Sequence, residues 1–179
     1  MKNVLKEILS TSVYLLIVLL AAYFIITYVG QRTQVSGSSM ETTLSDGDNL
    51  IVDKISYRFH EPERFDIIVF PFQYAKNTFY IKRIIGLPGE RVRIDEEGNI
   101  YINDELLEES YGREVIAYAG RAAEEIQLAD DEYFVLGDNR NNSSDSRDPS
   151  VGNIKREKII GRAWVRIWPF SKFGVLKHQ

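Results

Sequence analysis

The sequence predicts a mainly β protein in which one N-terminal transmembrane helix precedes an antiparallel β-sheet domain with a small inserted β subdomain. Two observations support this fold class. Residues 8–29 form one uncharged apolar run, and beyond Gly30 the apolar runs become short and rich in Ile, Val, Phe and Tyr. Runs of that length and composition, bounded by turn residues, are typical of strands.

The apolar run of residues 8–29 predicts one membrane-spanning helix. At about 1.5 Å per residue it extends about 33 Å, which matches the hydrocarbon core of a bilayer. A buried core helix should show polar positions at helical spacing, and a cleaved signal sequence usually has an apolar region of about 7 to 15 residues. Neither alternative fits this run as well as a membrane anchor does.

Positive charge flanks the predicted helix mainly on its N-terminal side. Lys2 and Lys6 precede the run, whereas Arg32 is the first cation after it. The positive-inside rule therefore predicts residues 1–7 in the cytoplasm and residues 30–179 on the other side of the membrane.

Five short apolar segments predict the principal strands, at residues 50–55, 66–70, 79–85, 133–136 and 159–167. Residues 93–131 are more acidic and richer in turn residues than their flanks, so we expect them to form the inserted subdomain. A turn around Gly98 indicates a hairpin there, and Asn103 with Asp104 indicates a second turn. The polar residues 138–148 are predicted to form a loop, and no further long helix is expected.

Composition excludes several classes of function. The formal net charge is −4, whereas nucleic-acid binders usually carry a strongly basic surface, so no nucleic-acid partner is expected. The chain has no cysteine, which rules out disulfides, thiol catalysis and thiolate metal sites. His60 and His178 are the only histidines, which leaves almost no material for a histidine-based triad or metal site. We expect neither a metal nor an organic cofactor.

The first candidate catalytic segment is VSGSSMETTL, at residues 35–44. It places Ser39 in a Gly-Ser turn, where a hydroxyl can project from a tight bend and nearby amides can receive an oxyanion. On its own, a Ser/Gly-rich turn of this kind is more often only a linker.

The second candidate segment is YIKRIIGLPGE, at residues 80–90. Side chains alternate along a strand, so Lys82 and Arg83 must point to opposite faces. If the Lys82 face is covered by protein, burial lowers the pKa of its ammonium from about 10.4 by about two pH units, and a lysine tuned in this way can deprotonate a serine. The alternative is a solvent-facing lysine on an edge strand.

The third candidate segment is GDNRNNSSDSRD, at residues 137–148. It is dense in hydrogen-bonding groups, and its carboxylates and guanidiniums favour internal pairing over a binding surface of one charge. A solvated surface loop would also be polar, so this segment alone leaves both interpretations open.

The three segments, in this order and after an N-terminal anchor, resemble the type I signal peptidase family. The resemblance extends to GDNLIVDKISY and IIGRAWVRIWP and so covers nearly the whole chain. It implies a membrane-bound serine endopeptidase with Ser39 as nucleophile and Lys82 as general base. It also implies that Ser143 hydrogen-bonds the lysine amine and that the Ser39 backbone amide donates to the oxyanion.

The same resemblance implies two structural ion pairs, Asp138 with Arg83 and Asp145 with Arg147. Its substrates would be secretory preproteins, cut at Ala-x-Ala-like sites beside the lipid bilayer. The expected location is the plasma (cytoplasmic) membrane, crossed once, with the catalytic domain outside the cytoplasm.

The chain departs from the family pattern at two positions. Thr42 stands where proline is expected, so the turn after the nucleophile loses a fixed φ and gains an amide donor. Gly37 stands where some members carry a serine that completes the oxyanion hole, which leaves a backbone group or Ser38 as the substitute.

Two alternatives remain beside this interpretation. A self-cleaving repressor protease shares the Ser/Lys dyad but is soluble and binds DNA, and the apolar run of residues 8–29 argues against it. An inactive, membrane-tethered β-module that binds exported peptides is the second alternative, and Thr42 is its only support in the sequence.

Overall fold

The structure is a computed structural model that describes residues 2–176; Met1 and residues 177–179, including His178, lie outside them. Helix α1 (Lys2–Phe24) continues into a short π-helical segment at Ile25–Val29. Within Lys6–Val29, an 18-residue window has a mean hydropathy of 2.4, and none of that window is buried. Its length and composition suffice to cross a membrane, and the apolar side chains around this helix find no cover in the rest of the described chain.

Residues 30–176 are mainly β, and the following list gives their strands in chain order. They are β1 (Gly30–Gln34), β2 (Asn49–Asp53), β3 (Ile67–Pro71), β4 (Phe79–Gly86), β5 (Arg91–Ile94), β6 (Ile100–Ile102), β7 (Glu105–Leu106), β8 (Ile126–Gln127), β9 (Glu132–Leu136), β10 (Ile154–Lys155), β11 (Gly161–Trp168) and β12 (Gly174–Val175). The main sheet has the order β1-β2-β11-β3-β4-β9-β10, with β12 beside β11. Every pairing in it is antiparallel.

The predicted fold class is confirmed, and each of the five predicted strands is present with slightly shifted ends. Strands β1, β8, β10 and β12 were not predicted. Strand β1 reads Gly-Gln-Arg-Thr-Gln and has no apolar side chain to signal a strand. It forms because it continues directly from the helix and pairs with β2 from Gly30 opposite Asp53 to Gln34 opposite Asn49.

The second sheet has four strands in the order β7-β6-β5-β8. Gly98 lies in the turn between β5 and β6 with a φ of 83°, and Asn103 and Asp104 turn between β6 and β7 with positive φ values of 51° and 71°. Asparagine and aspartate tolerate that left-handed backbone better than most residues. The residue limits 93–131 for a separate subdomain remain a prediction, because the two sheets share one core.

The shared core fixes the second sheet against the first. Val92 and Ile94 of β5 belong to the same buried cluster as Phe134 and Leu136 of β9. A second cluster packs Ile84 of β4 against other residues of the main sheet, which covers both faces of β4 in its C-terminal half. The candidate active site lies where this covered half of β4 meets the first half of the strand.

Gly161→Ala should destabilise the main sheet. A Cβ at Gly161 would lie 2.3 Å from the backbone oxygen of Asp53, and a backbone atom cannot rotate away as a side chain can. We expect the free energy of unfolding to fall by about 1 to 3 kcal/mol, measured by thermal unfolding of the detergent-solubilised protein.

Gly174→Ala is the matched control in the neighbouring strand β12. A Cβ there would meet no atom within 4 Å, so its thermal midpoint should stay close to that of the wild type. Equal losses for the two variants would show that the close approach of β11 to Asp53 is not the cause.

Candidate active site

The turn that carries Ser39 follows directly from β1. Its ends are held by the hydrogen bond from the Val35 amide to the Asp48 carbonyl, 2.8 Å. Met40 and Leu44 are both buried, and the Leu44 amide donates to the Met40 carbonyl at 2.8 Å. Thr42, the residue in the place of the expected proline, is exposed. Buried side chains and backbone hydrogen bonds therefore hold this turn without a proline ring.

Strand β4 brings Lys82 to this turn. Lys82 lies opposite Ile68 in the pairing of β3 with β4 and is only 3% exposed. Its Nζ lies 2.8 Å from the Ser39 Oγ and 3.0 Å from the Ile81 carbonyl oxygen. The ring of Tyr80, on the same face of the strand, has its centroid 5.0 Å from the amine. The structure thus joins the two predicted dyad residues across 43 positions of sequence.

The environment of Lys82 favours the neutral amine. Burial lowers its pKa from 10.5 to about 8, and the carboxylates of Asp145 and Asp138 oppose this shift only in part. Desolvation dominates because an ammonium loses more hydration on burial than an amine does. With a pKa near 8, about a tenth of the protein carries a neutral Lys82 at pH 7.

Arg83 points to the other face of β4 and forms a buried ion pair. Its Nε and Nη2 donate to the two carboxylate oxygens of Asp138 at 2.8 and 2.7 Å, and both side chains are almost fully buried. Its Nη1 donates to the Phe65 carbonyl at 2.9 Å, and its guanidinium lies 3.6 Å from the Tyr111 ring centroid. Thr43 adds a hydrogen bond from its hydroxyl to Asp138. This pair fixes the loop of residues 137–148 to β4, next to the dyad.

Asp145 and Arg147 pair inside that loop. The guanidinium donates to both carboxylate oxygens at 2.8 Å, and Asp145 also accepts from the Gly137 amide at 3.1 Å. Arg147 reaches the carbonyl oxygen of Arg140 as well, so the pair links two parts of the loop. All seven residues predicted for the site or its support lie on β4, on the Ser39 turn or in this loop.

The loop also contacts the Ser39 turn through two asparagines for which the sequence predicted no role in the site. The Asn139 amide donates to the Ser39 carbonyl at 3.0 Å, and its Nδ2 donates to the Ser38 carbonyl at 3.1 Å. The Nδ2 of Asn142 donates to the Ser38 Oγ at 2.9 Å. The only signal in the sequence was the density of amide side chains in the loop.

Ser143 does not make the hydrogen bond to the Lys82 amine that the resemblance implied. In residues 2–176, its buried Oγ has no hydrogen-bond partner, while Lys82 is satisfied by Ser39 and Ile81. The Ser143 Oγ instead packs against Gly137, where a Cβ would lie only 2.2 Å from it. Gly137 thus leaves the space that Ser143 occupies. A role for Ser143 in orienting the lysine remains a prediction.

A cleft of about 600 Å³ opens onto the dyad. One wall runs from Thr33 to Ser39, and the other runs from Asn77 to Lys82. Strand β1 is an edge of the main sheet, and β9 pairs with β4 only from Arg83 onward. Within residues 2–176, both walls therefore present backbone that has no strand partner on the cleft side. An extended peptide can pair with such edges.

Residues 2–176 contain no group of three or more acidic or histidine side chains that could hold a metal ion. The groups able to do chemistry in the cleft are the Ser39 hydroxyl, the Lys82 amine and the surrounding amides. A serine hydroxyl within hydrogen-bond distance of a buried amine is an arrangement compatible with a Ser/Lys hydrolase.

Comparison with known proteins identifies the family. Residues 8–168 match the model described as signal peptidase, peptidase S26. The chain is 46% identical over 155 residues to the probable signal peptidase I-2 of Synechocystis sp., covering 84% of this chain and 68% of that one. It is 44% identical over 157 residues to signal peptidase I of Leptolyngbya laminosa, covering 84% and 74%.

Among solved structures, the crystal structure of a signal peptidase I from Enterococcus faecalis V583 is 34% identical. It covers 57% of this chain and 97% of its own, with a TM-score of 0.48. The family match and the sequence identities define the class of the protein, which is a serine peptidase. The chain belongs to the signal peptidase family, peptidase S26, and removes signal peptides from preproteins.

Asp138→Asn should destabilise the protein strongly. It leaves the Arg83 guanidinium buried without a counter-charge, and breaking a buried ion pair costs about 3 to 5 kcal/mol. The measurement is the thermal midpoint of the detergent-solubilised variant.

Arg113→Ala is the matched control, because it removes an ion pair with Glu41 whose side chains are 45% and 35% exposed. Exposed pairs contribute about 1 kcal/mol or less. If Asp138→Asn lost no more stability than Arg113→Ala, the buried pair would not be what holds the loop.

Proposed function

We propose that Ser39 is the nucleophile of this signal peptidase and that Lys82, in its neutral form, is the general base. The observation that carries the proposal is the 2.8 Å separation between the Lys82 Nζ and the Ser39 Oγ at the base of an open cleft. This distance lies within the reach needed for direct proton transfer. The pKa of Lys82, lowered by burial to about 8, supports the same assignment.

The reaction proceeds through an acyl-enzyme. Lys82 takes the hydroxyl proton as the Ser39 Oγ attacks the scissile carbonyl, and the resulting ammonium gives that proton to the departing amine. A water molecule, deprotonated by the neutral lysine, then hydrolyses the ester and restores the Ser39 hydroxyl. The pairs of Asp138 with Arg83 and of Asp145 with Arg147 position the loop beside the dyad and take no part in the proton transfers.

The substrate binds as an extended strand between the two walls of the cleft. Pairing with β1 and with the first half of β4 aligns the peptide backbone, while side-chain pockets select the residues before the scissile bond. We propose that the first and third of these residues must be small, which gives Ala-x-Ala-like sites. This specificity rests on the family resemblance.

The helix of residues 2–24 and the π-helical segment after it anchor the enzyme in the membrane. We place the N-terminus in the cytoplasm and the β domain outside it, at the plasma membrane, on the charge asymmetry around the helix. Strand β1 follows the anchor without a linker, and the Lys54 amide donates to the Val29 carbonyl at 2.9 Å. The cleft therefore stays near the lipid surface, where a signal peptide presents its cleavage site.

The pH dependence tests the dyad. The kcat/KM for preprotein cleavage should rise with pH and level off above about pH 8, because Lys82 accepts a proton only when neutral. Ser39→Ala and Lys82→Met should each remove nearly all turnover, and the double variant should lose little more, since the two residues act as a unit. An acidic limb near pH 4, or wild-type cleavage by either variant, would require another base or nucleophile.

The substrate series tests the specificity. A preprotein should be cut efficiently with Ala at the first and third positions before the scissile bond, and Phe at either position should nearly abolish cleavage, because a narrow pocket cannot accept a ring without displacing packed atoms. The new N-terminus is read by mass determination in lipid or detergent. Phe at the second of the three positions is the control and should be tolerated; equal rates for Ala and Phe at the first position would refute this specificity.

A further inference from the structure

The proposed reaction needs more than one hydrogen bond to the substrate oxygen. When Ser39 attacks, negative charge develops on the scissile carbonyl oxygen, and preorganised donors stabilise it. The Ser39 amide is one donor. Gly37 offers no side chain where some members of the family have a hydroxyl, so a second donor must come from elsewhere in this chain. The inference that follows rests on the proposed function.

The backbone around Ser39 is held so that its amide faces away from the protein. The Ser38 carbonyl accepts from the Glu41 amide and from the Asn139 side chain, both at 3.1 Å. The peptide bond between Ser38 and Ser39 is not one of the two cis bonds in the described chain. In a trans peptide the N–H points opposite to the C=O. Within residues 2–176 the Ser39 N–H donates to no protein acceptor, so it is free for a substrate oxygen.

The Ser38 hydroxyl belongs to the residue that precedes this amide, and the loop of residues 137–148 holds it. Its Oγ is joined to the Ser39 nitrogen only through Cβ, Cα and C, and both residues line the cleft. Asn142, which also lines the cleft, donates from its Nδ2 to the Ser38 Oγ at 2.9 Å. Because that bond occupies a lone pair of the hydroxyl oxygen, the hydroxyl proton must be directed elsewhere.

Besides Ser38 and Ser39, two other serines line the cleft, and their hydroxyls are poorer candidates. The Ser144 hydroxyl donates to Asp148 at 3.3 Å, so its proton is already engaged. Ser36 is exposed, and among residues 2–176 no contact orients its hydroxyl. Of the three, Ser38 alone combines a free proton with a partner that fixes the oxygen.

We propose that the Ser38 hydroxyl is the second donor to the oxyanion and that Asn142 is the residue that positions it. The substrate oxygen is bound between the Ser39 N–H and the Ser38 O–H during acylation and again during hydrolysis of the acyl-enzyme. The pair of Ser38 and Asn142 replaces the hydroxyl that Gly37 cannot supply.

Ser38→Ala tests the donor. Loss of one oxyanion donor lowers kcat about 100-fold to 1,000-fold, and KM should change little because the charge exists only in the transition state. The acidic limb near pH 8 should not move, since the Lys82 contacts are untouched. Ser38→Thr keeps a hydroxyl and should retain most of the activity. Ser45→Ala, in the same turn region but outside the cleft, is the control and should cleave as the wild type does.

Asn142→Ala tests the positioning. The hydroxyl remains but is no longer held, so kcat should fall by about tenfold at similar KM. The double variant Ser38→Ala, Asn142→Ala should be no slower than Ser38→Ala alone, because Asn142 acts only through Ser38. Asn141→Ala is the matched control, since the side-chain Nδ2 of Asn141 donates to the Val115 carbonyl and Asn141 lies outside the cleft.

The outcomes separate this proposal from the function itself. If the wild type cleaves a preprotein and Ser38→Ala keeps its kcat, or loses activity only through a higher KM, Ser38 is not an oxyanion donor. If the fold losses of kcat in the two single variants multiply in the double variant, Asn142 acts independently of Ser38. If the acidic limb of the pH profile shifts in Ser38→Ala, Ser38 acts on the Lys82 amine instead of on the oxyanion. Absence of cleavage by the wild type would overturn the proposed function and this inference with it.

Discussion

The site depends on the ion pair between Arg83 and Asp138. Strand alternation sends Lys82 and Arg83 to opposite faces of β4, so a strand that delivers an amine to the Ser39 turn also delivers a guanidinium to the far side. A buried guanidinium without a counter-charge is costly, and Asp138 meets it with two hydrogen bonds. Because Asp138 is the second residue of the loop 137–148, the same contact fixes the segment that reaches over to the nucleophile turn. One pairing thereby sets the relative positions of three segments that are far apart in sequence.

The buried lysine reduces the stability of the folded protein. A pKa of about 8 against 10.5 in the unfolded chain means that folding the protonated form costs about 3 kcal/mol. Between about pH 8 and 10.5 the unfolded state binds more protons than the folded state, so this group makes the protein more stable as pH rises through that range. Below pH 8 the penalty is present in full. Packing around Lys82 therefore favours the neutral amine at the expense of folding free energy.

Much of the fold could be predicted from the sequence because it depends on local patterns, whereas the roles of Ser39 and Lys82 were implied by the family resemblance and remain a proposal. Apolar run length indicated the anchor, β-branched composition indicated the five main strands, and alternation predicted the opposite directions of Lys82 and Arg83. What the sequence did not show depends on contacts between distant residues. Strand β1 has no apolar pattern and is a strand only because β2 lies beside it. The hydrogen bond from the Asn139 side chain to the Ser38 carbonyl joins residues 101 positions apart in the sequence, and no local pattern specifies it.

Ser143 is another residue whose contacts the sequence did not show. Its place in the loop was predictable, but the direction of its hydroxyl depends on the space that Gly137 leaves, which only the packing of the loop against the Ser39 turn defines.

The two departures from the family pattern have a common physical explanation in this structure. At Thr42, backbone hydrogen bonds and the buried side chains of Met40 and Leu44 supply the rigidity that a proline ring would give. At Gly37, the φ of 93° is a conformation that glycine adopts without strain, and the amide donates to Asp46 at 2.8 Å. The turn is held at Thr42 by contacts of other residues and at Gly37 by a hydrogen bond of the glycine's own amide. A turn supported in this way can lose one side chain of the pattern without losing its geometry, so the position of Ser39 depends neither on the proline nor on the serine of the family pattern.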